Sequence, residues 1–300
     1  MLTPALPPQS VPVLSGFDYM TVDAPRHRVY AAHSGSGSLL VADSQTGKVI
    51  GQVRTGPMHG VAVDPATGLV YTGNGEDDTV SEVDPEKLTV LRSVDVPGHV
   101  DAMILDPASG RLYADEDDGT HIYVVDSKTM TLIKTITVPG HKPEYLQVDP
   151  QTHEVYQNIA DLAEIAVIDP VSLGVKRTIP TKELVGNHPL QYDAEYHEIV
   201  AGGTNGVLAA YTREGKLLGT ATVPRFDQCD LDRSQHILAC AGGGGVTRLQ
   251  LHPGAAPTVI DTTTIDPGVH TTAVDPSTHD IFAVWSRRDG SGDFFQKFVP

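Results

Sequence analysis

The sequence predicts an all-β fold, a seven-bladed β-propeller of four-stranded antiparallel blades. Three observations predict it. An apolar strand ending in Asp recurs seven times along the 300 residues, about once every 42. Each interval reads as four short strands with Gly, Pro, Asp and Asn between them. The last interval stops one strand short, and a strand-like segment precedes the first.

The recurring landmark is an apolar strand, Asp, usually Pro, a polar turn, and a second strand that often carries Tyr. Val61-Ala62-Val63-Asp64-Pro65 leads to Gly68-Leu69-Val70-Tyr71. Met103-Ile104-Leu105-Asp106-Pro107 leads to Gly110-Arg111-Leu112-Tyr113, and Leu146-Gln147-Val148-Asp149-Pro150 to Glu154-Val155-Tyr156. The seven aspartates are Asp23, Asp64, Asp106, Asp149, Asp193, Asp232 and Asp275, spaced by 41, 42, 43, 44, 39 and 43 residues. Seven such units fill 1–300 as one domain. In the second unit the strands are expected at Gly60–Val63, Leu69–Thr72, Thr79–Val83 and Val90–Val94. A lone four-stranded sheet would expose both faces, and stacking around a ring covers them. The segment Val11–Leu14 is expected to supply the strand missing from the last blade.

Composition narrows the function classes. A net charge of −17 repels phosphate backbones, and aromatic residues are 6% of the chain with no basic patch, so nucleic acid is not an expected partner. No apolar run approaches the ~18–20 residues that span a bilayer. The 29 glycines and 22 prolines suit a turn-rich β chain. The start, Met1–Pro8, lacks the basic and long apolar segments of a signal peptide, so the chain is cytoplasmic or its leader has been removed. Cys229 and Cys240 flank the turn at 232–236. They form either a cross-strand disulfide or two small buried thiols.

Tyr71-Thr72-Gly73-Asn74 followed by Thr79-Val80-Ser81-Glu82-Val83-Asp84 resembles the repeat of the YVTN propeller family. Leu112-Tyr113, Ile122-Tyr123-Val124-Val125-Asp126 and Thr135-Ile136-Thr137-Val138 resemble it again. The resemblance spans nearly the whole chain, with the fifth to seventh repeats degenerate. It implies the propeller fold and a periplasmic or secreted location. Its relatives include surface-layer proteins, binding scaffolds and streptogramin-cleaving lyases, so it implies no single activity.

One column departs from that family, which more usually carries small or neutral residues there. Five positions before the landmarks stand Asp18, His59, Asp101, Glu144, His188, Asp227 and His270. The 13 histidines and 38 acidic residues make up roughly one residue in six, so seven in one column arise by chance about once in ten thousand over all columns. The column begins each innermost strand, where a propeller's blades surround the channel mouth. Three imidazoles with a carboxylate suit Zn, Fe, Mn, Ni or Cu as a divalent ion. His59, His188, His270, Asp18 and Asp227 are the expected ligands, with Glu144 and Asp101 as proton-handling catalytic groups. The competing reading is a hydrated channel lined by polar groups.

His99 and His141, each after Val-Pro-Gly, lie on the loop entering the column, and Lys142 and Arg225 share that region. They are candidate contacts to a substrate. His27, His153, His197, His236 and His279 follow the landmarks by four residues and are expected as exposed turn residues at the other end. His33 is expected to approach the mouth. The acidic runs at 76–78 and 115–118 read as solvated loops on the mouth side. The Gly242–Gly245 run lacks the Lys-Ser/Thr of a phosphate loop, and no Gly-x-Ser-x-Gly occurs.

These features point to a monomeric, metal-dependent enzyme acting on a small molecule, as hydrolase or lyase on an ester, lactone or amide. An iron- or copper-dependent oxidoreductase uses the same ligand types. A non-enzymatic propeller binding protein, glycan or metal is the alternative from another class.

Overall fold

A computed structural model describes residues 1–300. Seven antiparallel sheets form a closed ring of blades. The first blade consists of Met20–Asp23, Arg28–His33, Ser38–Asp43 and Lys48–Arg54. The second consists of Val61–Val63, Val70–Asn74, Thr79–Asp84 and Thr89–Asp95, within two residues of the sequence expectation at every boundary. The others begin with inner strands Val100–Asp106, Pro143–Val148, Asn187–Asp193, Gln228–Asp232 and Val269–Val274. Two short 3₁₀ turns, Ala24–Arg26 and Ser34–Ser36, are the only helical pieces, and no helix is long and apolar enough to cross a membrane.

The inner strands of successive blades touch one another, and the seventh touches the first, so they line the central axis. Apolar side chains of the second and third strands fill the space between blades. The landmark tyrosines Tyr30, Tyr71, Tyr113 and Tyr156 are buried there, as are Tyr123, Tyr192 and Tyr211. The fourth strands face solvent, with mostly exposed and half-buried residues, as in Thr89–Asp95.

Ring closure uses an earlier part of the N-terminus than expected. Thr3–Pro4 pairs with Val299 and Phe298, and Gln9–Val11 pairs with Phe295, Phe294 and Asp293. Of the expected segment Val11–Leu14, only Val11 is in a strand. Pro12 has no N–H to extend a ladder, and Val13 turns the chain away at φ 68°. The segment then reaches Ser15 and Gly16, whose N–H groups donate to Asp293 Oδ2 at 3.0 and 3.2 Å. The same oxygen lies 2.6 Å from His33 Nε2, and both side chains are fully buried. Burial pushes the Asp293 carboxyl up, but bonds from Ser286, the Ser15 and Gly16 amides and His33 outweigh it and hold it below its usual range.

The turn histidines are not idle surface groups. His153, His236 and His279 reach back to the landmark aspartate of the preceding blade, with Nδ1 at 3.2, 2.6 and 2.7 Å from Asp106, Asp193 and Asp232. Each sits at positive φ in its hairpin turn. The aspartate serves two purposes: it caps its own turn, as Asp193 does for Glu195 and Tyr196, and anchors the next blade. His27 and His197 share the backbone geometry but make no such bond.

Cys229 and Cys240 are directly paired across adjacent strands, buried, and joined in a disulfide. Closing a loop of this length restricts the unfolded chain by roughly 2–3 kcal/mol. Exchanging both cysteines for serine is expected to lower unfolding stability by about that amount. Urea unfolding of wild type with and without reductant checks it, and coincident curves would contradict a stabilising bridge.

Candidate functional site at the channel mouth

All seven column residues stand at the start of an inner strand, as expected, but two local devices place them. Asp18, His59 and Asp227 precede their strands and anchor by donating backbone N–H to Ala32, Gly73 and Ala241 carbonyls. In the other four blades the ladder slips at the column. Register shifts fall between Val100 and Met103, Glu144 and Leu146, Asn187 and Leu190, and Val269 and Thr271. A bulge re-aims a side chain out of the regular alternation. Room is also reserved for one imidazole. A Cβ on Gly75 would lie 3.0 Å from His59 Cδ2.

The column residues contact one another around the mouth. His59 Nδ1 is 2.7 Å from Asp18 Oδ2 and 3.9 Å from Asp101 Oδ1. His188 Nε2 is 3.3 Å from Glu144 Oε2 and 3.9 Å from Asp227 Oδ1. His270 Nδ1 is 3.0 Å from Asp227 Oδ2. One group has its donor atoms all within 4.8 Å of each other, namely Asp18, His59 and Asp101. His188 and His270 stand outside that group, on the arc that shares Asp227. Asp101, expected as a proton-handling group, is among the clustered donors.

The electrostatics reflect crowded acid. The Asp18 hydrogen bond, opposed by burial, raises His59 to about 9. Burial, with Asp18 and Glu144 nearby, pushes Asp101 well above the usual carboxylate range. Burial raises Glu144 to about 7, against the pull of Lys142 and with help from Asp117 and Asp227. Burial lowers His270, but the bond and charge of Asp227 outweigh it and leave a net rise. Asp227 is pushed up by burial and more strongly held down by His270, His188 and Arg225.

Several supporting residues were not singled out from the sequence. Gln228 donates to Asp18 Oδ1 at 2.9 Å and accepts from Thr271 at 2.5 Å, which orients the carboxylate. Tyr19 donates to Asp101 Oδ2 at 3.4 Å. Tyr19, Gln228 and Thr271 all occupy the position after the column, a signal available in the same alignment. Asp115, read as part of a solvated loop, is instead fully buried on a second strand. It accepts from the Ala102 amide at 2.6 Å and from Gln157 at 2.8 Å, and burial beside Asp101 raises it well above the usual range.

The entry-loop residues divide. His99 bonds the Gly75 carbonyl and lies 2.9 Å from Asp78, half exposed. His141 is exposed, with its backbone N–H donating to Asp161 at 3.0 Å. Lys142 is paired with Asp118 at 2.9 Å. Arg225 lines a cavity together with Asp227 and His270. His33, expected near the mouth, stacks on Phe17 at 4.5 Å between ring centroids, one residue before Asp18.

No protein-family model matches the chain, and no curated protein sequence matches it. Among solved structures it is similar to hydrazine synthase of Kuenenia stuttgartiensis, with a TM-score of 0.79 and 16% identity over 96% of this chain and 97% of that one. It is also similar to U3-55K, with a TM-score of 0.85 and 9% identity over 98% of both chains. At such identities the likeness shows the fold alone, a β-propeller, and the YVTN resemblance has no family match behind it.

Proposed function

We propose that this chain is a divergent YVTN-type propeller that works as a metal-dependent enzyme, a hydrolase or lyase acting on a small ester, lactone or amide at the channel mouth. The observation that carries the reading is the Asp18–His59–Asp101 group, set in a ring of further imidazoles and carboxylates. Burial first, and neighbouring carboxylates second, disfavour the ionised forms of Asp101 and Glu144, and a divalent cation beside them would favour those forms. The donor set, imidazole with carboxylate oxygen, suits Zn, Fe, Mn, Ni or Cu. One of the structurally similar proteins bears an enzyme's name, a synthase. A buried disulfide fits the oxidising compartment expected of a periplasmic or secreted protein.

In this reading Asp18, His59 and Asp101 hold the ion, and His188, His270 and Asp227 form the facing arc that completes its surroundings. Gln228 and Tyr19 orient the carboxylates, as outer partners of ligands commonly do. A bound divalent ion supplies polarisation of a carbonyl and a more acidic water. Glu144, raised to about 7, takes the proton from the attacking water and returns it to the leaving oxygen or nitrogen as the acyl bond breaks.

Elemental analysis of untagged protein tests the ion. About one transition ion per chain is expected, and His59→Ala is expected to weaken its retention by roughly 100-fold or more. A wild-type protein that holds none of the five metals after dialysis against each would overturn the reading.

A further inference from the structure

We propose that a cavity between the sixth, seventh and first blades is a carboxylate-binding subsite, with Arg225 and Arg288 as its cations, so that the substrate of the channel-mouth centre is a carboxylate-bearing molecule. The role of that molecule as substrate rests on the proposed function; the subsite itself rests on the observations below.

The cavity measures about 390 Å³, within the range of small-molecule sites. Only two of its 12 lining residues are hydrophobic. Asp227 and His270 belong both to its wall and to the ring at the mouth, so a molecule held there lies against the candidate centre. The chain carries a net charge of −17, yet the residues lining this cavity include Arg225 and Arg288, and neither is in a salt bridge. The neighbouring Arg287 is already committed to Asp266 at 3.5 Å.

The glycines of the wall fix this frame. A Cβ on Gly242 would lie 2.5 Å from Phe226 Cα, and one on Gly243 would lie 2.9 Å from the Arg225 carbonyl oxygen. The 242–245 hairpin therefore packs directly on the backbone that carries Arg225. A Cβ on Gly268 would lie 2.0 Å from the Ser286 carbonyl oxygen, so the loop before His270 packs equally closely on the strand end that leads to Arg288. Guanidinium forks match carboxylates in two parallel bonds. A monoanion suits the wall better than a phosphate dianion, because Asp227 shares it and repels the larger charge.

Chelator-treated protein titrated with butyrate, butyramide and inorganic phosphate, followed by ligand NMR, tests the site without any metal. Butyrate is expected to bind in preference to both other probes, and Arg225→Gln/Arg288→Gln is expected to weaken it about tenfold or more. The same variant is expected to keep the wild-type metal content. Equal binding of butyramide, tighter binding of phosphate, or unchanged butyrate affinity in the double variant would each overturn the carboxylate subsite. Arginine-dependent butyrate binding in a protein that holds no metal would leave the subsite standing and refute the metal reading.

Discussion

Replacing Glu144 by Gln is expected to slow turnover by roughly 10²–10⁴-fold while the protein keeps its metal. The carboxylate has the properties of a base. It is mostly buried, sits 3.3 Å from His188 Nε2, and is raised to about 7 by burial, so it accepts a proton near neutrality and releases it again. It is also outside the tight donor group of Asp18, His59 and Asp101, so the amide replacement leaves the clustered ligands intact. A screen of lactones, esters and amides supplies the substrate, and metal content is measured on the same preparations. A Glu144→Gln protein with wild-type turnover would remove the base, and one that loses its metal would make Glu144 a ligand instead.

The second large effect concerns folding. Asp293→Ala is expected to cost roughly 3–5 kcal/mol, the cost of removing one partner from a buried polar pair. Asp293 Oδ2 gathers His33 Nε2 and the amides of Ser15 and Gly16, all inside the closed seam between the last blade and the first. Its loss leaves a fully buried imidazole and two half-buried N–H groups without this partner. Urea unfolding measures the effect, and Asp293→Asn, which keeps the shape and an acceptor oxygen, is expected to lose less. A change below about 1 kcal/mol for the alanine variant would show that strand pairing alone closes the ring. The bonded loop also runs through Phe17, stacked on His33, to Asp18, so metal retention should fall with it.

The propeller was legible because its landmark is repeated seven times, and each copy states the same local physics: an apolar strand, an Asx-type turn and a second buried strand, which carries a Tyr in the first four copies. The column was legible for the same reason, since a periodic alignment brings distant residues into register. What stayed hidden depends on two-body geometry between blades. His236 reads as a turn residue until its positive φ and its 2.6 Å contact with Asp193 are seen. Asp115 reads as one acid in an acidic run, and only the register of its strand separates it from exposed Asp117 and Asp118. Val11–Leu14 was placed one segment too late because Gln9 and Ser10 are polar, although they pair with Phe295 and Phe294. Arg288 was not singled out because the loop that carries it, between Ile281–Ser286 and Asp293–Val299 of the last blade, has no matching arginine in the other repeats.

The number of blades is odd, and that has a consequence at the mouth. Read in order the ring is acid, base, acid, acid, base, acid, base, and the last base meets the first acid through the Asp18 charge felt at His270. With six or eight members, donors and acceptors could alternate without a fault. With seven, strict alternation cannot close, so at least one like pair must stand side by side. Here that fault falls between Asp101 and Glu144, and these are the two column acids pushed upward. Parity thus gives a nearly symmetric scaffold a direction: one seam out of seven sets two carboxylates side by side with no imidazole between them, and Asp101, on its edge, is also the acid that joins the Asp18–His59 group.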